Sequence, residues 1–412
     1  MDAPPVIAPR SGRLLDVFDV LKAFLKLGLT SFGGPIAHLG YFRREFVERR
    51  RWLDDEAYTD LVALCQFLPG PASSQVGFSI GLMRAGWLGG LAAWCGFTLP
   101  SVLLLIGFAA VAPDLGSAAG QGLIHGLKLV AVAVVAQAVW DMARRLCPDR
   151  QRAAIALIAI GVLAVLTTVY AQLLVIALGA LLGVVFCRSE GAQRGHEPQP
   201  VVATLRVSRV VGWGALALFF VLLFGLPALL TLQHARSIQM FDAFYRSGAL
   251  VFGGGHVVLP LLQQRTVATG WVASSDFLAG YGAAQAAPGP LFTFAAFLGW
   301  MMSEAPHRWA GAALATVGIF LPGLLLVIAA LPHWQALRSR PATAAMLSGV
   351  NAAVVGLLAA ALYTPVWTSA VLSSVDFAIS AVCFLLLTRW KVPPLVVVVL
   401  CAFAGIAEFA LR

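Results

Sequence analysis

The sequence predicts an all-α polytopic membrane protein made of two inverted-topology repeats, with re-entrant broken-helix hairpins and one linking span. Three observations carry this prediction. The 412 residues have a mean hydropathy of +0.86 with only 11% charged side chains. Apolar runs long enough to cross a bilayer recur along the chain. A glycine-proline skeleton appears twice in the same order, and the charge of its connecting loops is reversed between the two copies.

The repeat is read residue by residue. Phe32-Gly33-Gly34 returns as Phe252-Gly253-Gly254, Trp52 as Trp271, and "QFLPGP" at 66–71 as "QAAPGP" at 285–290. Lys26 falls opposite Arg246, and "HGLKLVAVAVVAQA" from His125 runs parallel to "SGVNAAVVGLLAAA" from Ser348. The loop at 43–51 holds five arginines where its counterpart at 263–270 holds only Arg265, and the loop at 144–152 is basic where 363–369 is uncharged. The loops at 112–117 and 168–172 lack basic residues, whereas their counterparts carry Arg338, Arg340, Arg389 and Lys391. Basic loops mark the cytoplasmic side, so the copies are expected to cross in opposite senses. The net charge of +9 is thereby assigned to topology rather than to nucleic-acid binding.

In order, the layout is a cytoplasmic tail (1–13), a first repeat (14–187), a cytoplasmic linker with a connecting span (188–235) and a second, inverted repeat (236–412). Repeat one has re-entrant pairs at 14–51 and 54–84, then full spans near 90–112, 118–143, 153–167 and 171–187. The connecting span is 210–232. Repeat two has re-entrant pairs at 240–270 and 275–304, then spans near 309–331, 342–362, 370–388 and 393–411. The N-terminus is expected in the cytoplasm and the C-terminus in the periplasm, in a cell inner membrane. The opening "MDAPPVIAPRSGR" lacks the apolar core of a cleavable signal.

The breaks are the candidate site. Backbone leaves the helix at membrane depth only where protein or water satisfies its polar groups. Phe32, Gly33, Gly34 and Pro35 form one break, and Pro69, Gly70 and Pro71, followed by Ser73 and Ser74, form the next. Phe252, Gly253, Gly254 and Gly255, and Pro288, Gly289 and Pro290, are their partners. Proline at a first helical position needs no N–H donor. Four half-helix N-termini, each with about half a positive charge, would meet near the midplane and suit an anion. Gln66 and Gln285, three residues before each Pro-Gly-Pro, add donors. Lys26, Arg246 and Lys128 (opposite Asn351) are cations within apolar segments. Each needs a polar partner or cavity, although a lysine such as Lys26 also snorkels to the surface. Together these groups favour a substrate of charge −1 to −2. His38, His256 and His125 are candidate proton carriers, because histidine titrates near neutral pH; a histidine simply hydrogen-bonded in place is the plainer reading. Arg84 closes the second hairpin and is a candidate gate.

No Ser–His–Asp order, HExxH, Walker A or strand-borne GxGxxG motif is present, and the six cysteines show no CxxC spacing. No cofactor or metal is expected, and the chain does not read as an enzyme. Glycine-rich helix faces suit packing within one chain or in a homodimer.

At these residues the sequence resembles the chromate ion transporter family, in its long-chain two-domain form. The resemblance rests on "FGGPIAHLGYFRREFVERRRWLDDEAYTDLVALCQFLPGPASSQVGFSIG", "FGGGHVVLPLLQQ" and "AQAAPGPLFTFAAFLG". It implies export of chromate from the bacterial cytoplasm, driven by the proton-motive force and conferring chromate resistance, with sulfate as the competing dianion. A sulfate or other oxyanion permease and an anion channel are the alternatives. Glycine at 255, where the first copy has Pro35, implies that the two half-sites need not be equivalent.

Overall fold

A computed structural model describes residues 14–112, 118–166, 171–187, 207–232, 235–302, 306–334 and 341–411. The tail 1–13, most of the linker, and the loops carrying Arg338 and Arg340 lie outside the described residues. Among the described residues every regular element is helical. The helices are α1 (Leu14–Thr30), α2 (Gly34–Phe42, continued by a π-turn over Arg43–Arg49), α3 (Asp55–Phe67), α4 (Ala72–Val111), α5 (Ala118–Leu146), α6 (Arg150–Val165), α7 (Ala171–Phe186), α8 (Arg209–Leu232), α9 (Arg236–Ala249), α10 (Val258–Thr266), α11 (Ser274–Ala286), α12 (Phe294–Met301), α13 (Arg308–Ala330), α14 (Pro341–Ala361), α15 (Ser374–Thr388) and α16 (Pro394–Leu411).

Five described helical stretches are long and apolar enough to cross a membrane: those of α4, α5, α8, α13 and α14. Within the α8 stretch only 11% of the apolar window is buried, and Trp213, Val221 and Phe224 face outward. Such an exposed apolar face matches lipid rather than water. The spans expected at 153–167, 171–187 and 370–388 are shorter than a full crossing. Helices α6, α7 and α15 have 16, 16 and 15 residues, or about 22–24 Å against a hydrocarbon core of about 30 Å. A cap starts α15 late, where Ser373 with Asp376 forms a reciprocal capping box, and Asp149, accepting from the Arg152 N–H, caps α6.

The expected breaks are present. α1 gives way to α2 at Ser31–Gly33, α3 to α4 at Leu68–Pro71, and α9 to the turn Gly255–Val257 before α10. α11 gives way to the turn Leu291–Thr293 before α12. α4 is itself two helices, because Ala85 and Gly86 are non-helical (φ 66° at Gly86) and Gly81 and Gly89 come into backbone contact across the bend. The segment expected to end at 84 is followed directly by this kink.

The two halves interlock. α5 packs on α15 and α16 of the other half, and α14 packs reciprocally on α6 and α7. The seams are built alike. A side chain at Gly126 would run into the Cys401 carbonyl, and one at Gly349 into the Gly179 carbonyl. Small residues let these helices approach backbone to backbone. Leu127, Val130, Val134, Cys383 and Val397 fill the first interface, and Ile155, Ala159, Val175 and Ala353 the second.

Candidate functional site

The four breaks dock on one another in crossed pairs. The Gly70 N–H donates to the Val251 carbonyl at 2.8 Å, and the Gly289 N–H donates to the Ser31 carbonyl at 2.9 Å. Each second break of one half thus satisfies backbone at the first break of the other, as non-helical backbone within a membrane protein requires. The left-handed φ values of Gly33 (100°), Gly34 (81°), Gly70 (117°), Gly253 (76°), Gly254 (147°) and Gly289 (91°) explain the glycine skeleton. At the centre Pro35 lies against Gly255.

Side chains at this junction hold backbone that left the helix. Gln75 is fully buried and donates through Nε2 to the Pro69 carbonyl at 3.0 Å and the Gly323 carbonyl at 2.9 Å. Thr293 donates to the Pro290 carbonyl at 2.8 Å, and its hydroxyl lies 2.7 Å from that of Ser101. His256 Nδ1 lies 2.8 Å from the Tyr281 hydroxyl.

Other polar atoms are buried with no hydrogen-bond partner: Ser31 Oγ, Ser74 Oγ and Gln75 Oε1, while Gln285 has only the Tyr281 hydroxyl nearby and the His38 ring only the Ser31 backbone. His38 is 1% exposed, edge-on to Phe97 at 5.3 Å, with the Ser31 backbone beside it. Buried polar groups are paired with few exceptions, so a set of orphans at one junction marks where water or a ligand completes the bonding.

The expected site residues divide. The break residues, Ser73, Ser74, Gln285, His38 and His256 gather at or beside this junction. Asn351 approaches Gly253. Gln66 does not mirror Gln285, because its side chain is exposed. Lys26 also lies apart: its side chain is 54% exposed and its Nζ is 3.8 Å from Glu45 Oε2 on the π-turn. That is the snorkelling arrangement. Glu45 is shared with Arg50 at 2.7 Å and Arg49 at 3.1 Å. Burial works against its ionisation, but the Arg50 hydrogen bond with Lys26 and Arg49 prevails and holds its pKa below the usual carboxylate range.

Arg246 is 19% exposed and paired with Asp242 at 2.8 Å, and it donates to the Leu223 carbonyl at 3.1 Å. It lines a cleft with Gln172, Ser247, Gln264 and Arg265. In this cleft Arg265 and two amides stand beside the charge-balanced Arg246–Asp242 pair. Arg265 was unremarkable in the sequence because it read only as a loop charge. Lys128 is half-buried on α5, near Asp276 rather than among the breaks. His125 is not at the junction either, but bonds Asp376 at 2.6 Å. Arg84 binds Asp16 at 3.2 Å and sits 5.3 Å over the Trp52 ring, which ties the second hairpin to α1.

Broken helices docked in crossed pairs around orphaned polar groups, within a polytopic helical bundle, define a membrane transport protein. The chromate transporter family model matches residues 18–184 and again 238–406, and the chain belongs to the chromate transporter family. It is 30% identical over 344 residues to a chromate transport protein of Pseudomonas aeruginosa, covering 82% of this chain and 78% of that one. It is 26% identical over 393 residues to a probable chromate transport protein of Synechococcus elongatus, covering 93% of each. Two uncharacterised Bacillus subtilis transporters match over 94 and 87 residues, about half of their own lengths. No solved structure matches.

Proposed function

We propose that the chain is a secondary active transporter that exports chromate, a tetrahedral dianion, across the bacterial inner membrane, driven by the proton-motive force and conferring chromate resistance. The observation that carries this reading is the set of buried polar atoms, Ser31 Oγ, Ser74 Oγ and Gln75 Oε1 among them, that lack hydrogen-bond partners at the junction of the four breaks. Helix N-termini attract negative charge, and Ser31, Ser74 and Gln285 offer further donors to oxyanion oxygens. The relatives named as chromate transport proteins supply the substrate. Under this reading the repeats are inverted, the N-terminus is cytoplasmic and the C-terminus periplasmic. Transport proceeds by rocking one half against the other around the junction. His38 and His256 stand beside the anion position as proton carriers, and under this topology the Arg246–Arg265 cleft lies on the periplasmic, exit side of the junction.

The test is chromate flux into and out of proteoliposomes with an imposed pH gradient. Flux that follows the gradient in the wild type and falls at least tenfold in Ser74→Ala and Gln285→Leu supports the reading. Normal transport in both variants places the site elsewhere. Sulfate carried in preference to chromate identifies a sulfate permease, and ungated current identifies a channel.

A further inference from the structure

The two halves differ at one buried hydroxyl. Tyr281, on α11, is fully buried, and its hydroxyl lies 2.8 Å from His256 Nδ1 at the first break of the second half. One helical turn further along α11, Gln285 stands beside the same hydroxyl, three residues before Pro288. A single oxygen is therefore placed between the two breaks of this half.

The surrounding helices hold that oxygen still. The Tyr281 ring meets Phe294 of α12 edge-on at 5.7 Å. A side chain at Gly282 would run into the Leu127 carbonyl of α5, and one at Gly280 into the Phe297 ring of α12. These two glycines let α11 lie close against both neighbours on either side of Tyr281, which clamps the ring where it is. Packing asks only for the ring. A hydroxyl in such apolar surroundings costs free energy unless it is bonded, and both groups beside it belong to the breaks.

The first half has no such group. Aligning Gln66 with Gln285 puts Val62 opposite Tyr281. Gln66 is exposed, whereas Gln285 Nε2 is buried, and His38 packs edge-on to Phe97 instead of meeting a hydroxyl. The half with the tyrosine is the half that keeps its amide at the junction.

We infer that Tyr281 is a positioning residue of the oxyanion site, whose hydroxyl orients the His256 ring and the Gln285 amide towards the anion. This role presupposes the oxyanion site at the breaks. Contact at Nδ1 leaves Nε2 as the ring nitrogen that meets the substrate. With Tyr281 donating to Nδ1, or with a doubly protonated ring donating to Tyr281, Nε2 carries a hydrogen for an oxyanion oxygen. The second half thereby has a grip on the substrate that Val62 denies to the first.

The experiment compares wild type, Tyr281→Phe, His256→Asn and the double variant. Chromate flux in proteoliposomes gives KM and the maximal rate, and thermal unfolding with rising sulfate or chromate reads oxyanion binding without transport. Tyr281→Phe keeps the ring, so its midpoint without anion should stay near that of the wild type. Its KM should rise about tenfold, and its anion-dependent rise in midpoint should need correspondingly more anion. Adding Tyr281→Phe to His256→Asn should cost less than twofold more, because the hydroxyl then has no ring to orient. Unchanged KM and anion response in Tyr281→Phe, or losses that multiply in the double variant, overturn the role. So does a Tyr281→Phe chain that fails to fold, which makes the hydroxyl structural. A wild type that binds sulfate or chromate saturably but carries no chromate refutes the export reading, and the binding series still decides Tyr281. A wild type that binds neither anion refutes both.

Discussion

Replacing Gly289 with alanine tests the crossed docking of the breaks. The residue has φ 91°, and its N–H bonds the Ser31 carbonyl. A side chain in the left-handed region costs about 1–2 kcal/mol. The added Cβ would also stand 3.1 Å from the Phe97 carbonyl and 3.3 Å from Ser101 Cβ, both on α4 of the other half. Relieving that contact means moving α4 or lengthening the Ser31 bond, which brings the total to about 2–4 kcal/mol. Gly270→Ala is the control. Its φ is 74° and a Cβ there would meet nothing within 4 Å, so it carries only the backbone cost of about 1–2 kcal/mol. Thermal unfolding and chromate flux are measured on both. Gly289→Ala should lower the midpoint more than Gly270→Ala and lose most of its flux, while Gly270→Ala transports normally. If Gly289→Ala carries chromate as fast as Gly270→Ala, close docking at this break is not part of the transport mechanism.

Three further outcomes follow from the same geometry. His38→Phe removes a buried imidazole with little hydrogen bonding from an aromatic cluster, so the thermal midpoint should hold or rise while flux falls; a variant that transports normally clears His38 of any role. Gln75→Leu strips the Pro69 and Gly323 carbonyls of their donor and should cost about 2–4 kcal/mol, read by thermal unfolding. Glu45→Gln should destabilise at neutral pH. Because Glu45 titrates below its ordinary value in the folded chain, its contribution is complete above the unfolded carboxylate pKa of about 4.3 and fades as pH drops through the lower folded value. The midpoints of wild type and Glu45→Gln should therefore stay apart from pH 8 to 5 and converge below about pH 4.

The breaks were readable in advance because Gly-Gly-Pro and Pro-Gly-Pro cannot continue a helix, and their recurrence excluded coincidence. Their docking was not readable. The Gly70–Val251 and Gly289–Ser31 bonds are made by backbone, and backbone contact leaves no mark on residue type. Gln75 was missed for a related reason: it sits one turn inside α4, where a polar residue looks like ordinary helix. Lys26 admitted two readings, and the choice between them depended on Glu45, which a π-turn brings round without any helical spacing to announce it. Hydropathy overestimated α15 because it counts apolar residues and does not register the Ser373 cap, which begins the helix four residues after the expected start. The His125–Asp376 bond joins helices far apart in sequence, so no local motif could reveal it.

The exchange of helices between halves has a consequence for synthesis. α5 leaves the ribosome with the face that will receive Gly405 and Cys401 bare, and the helices that cover it are more than two hundred residues downstream. At about 5–20 residues per second that face waits roughly ten seconds to a minute. During this interval another nascent copy can supply the missing helices, so crowded expression should yield entangled pairs of chains.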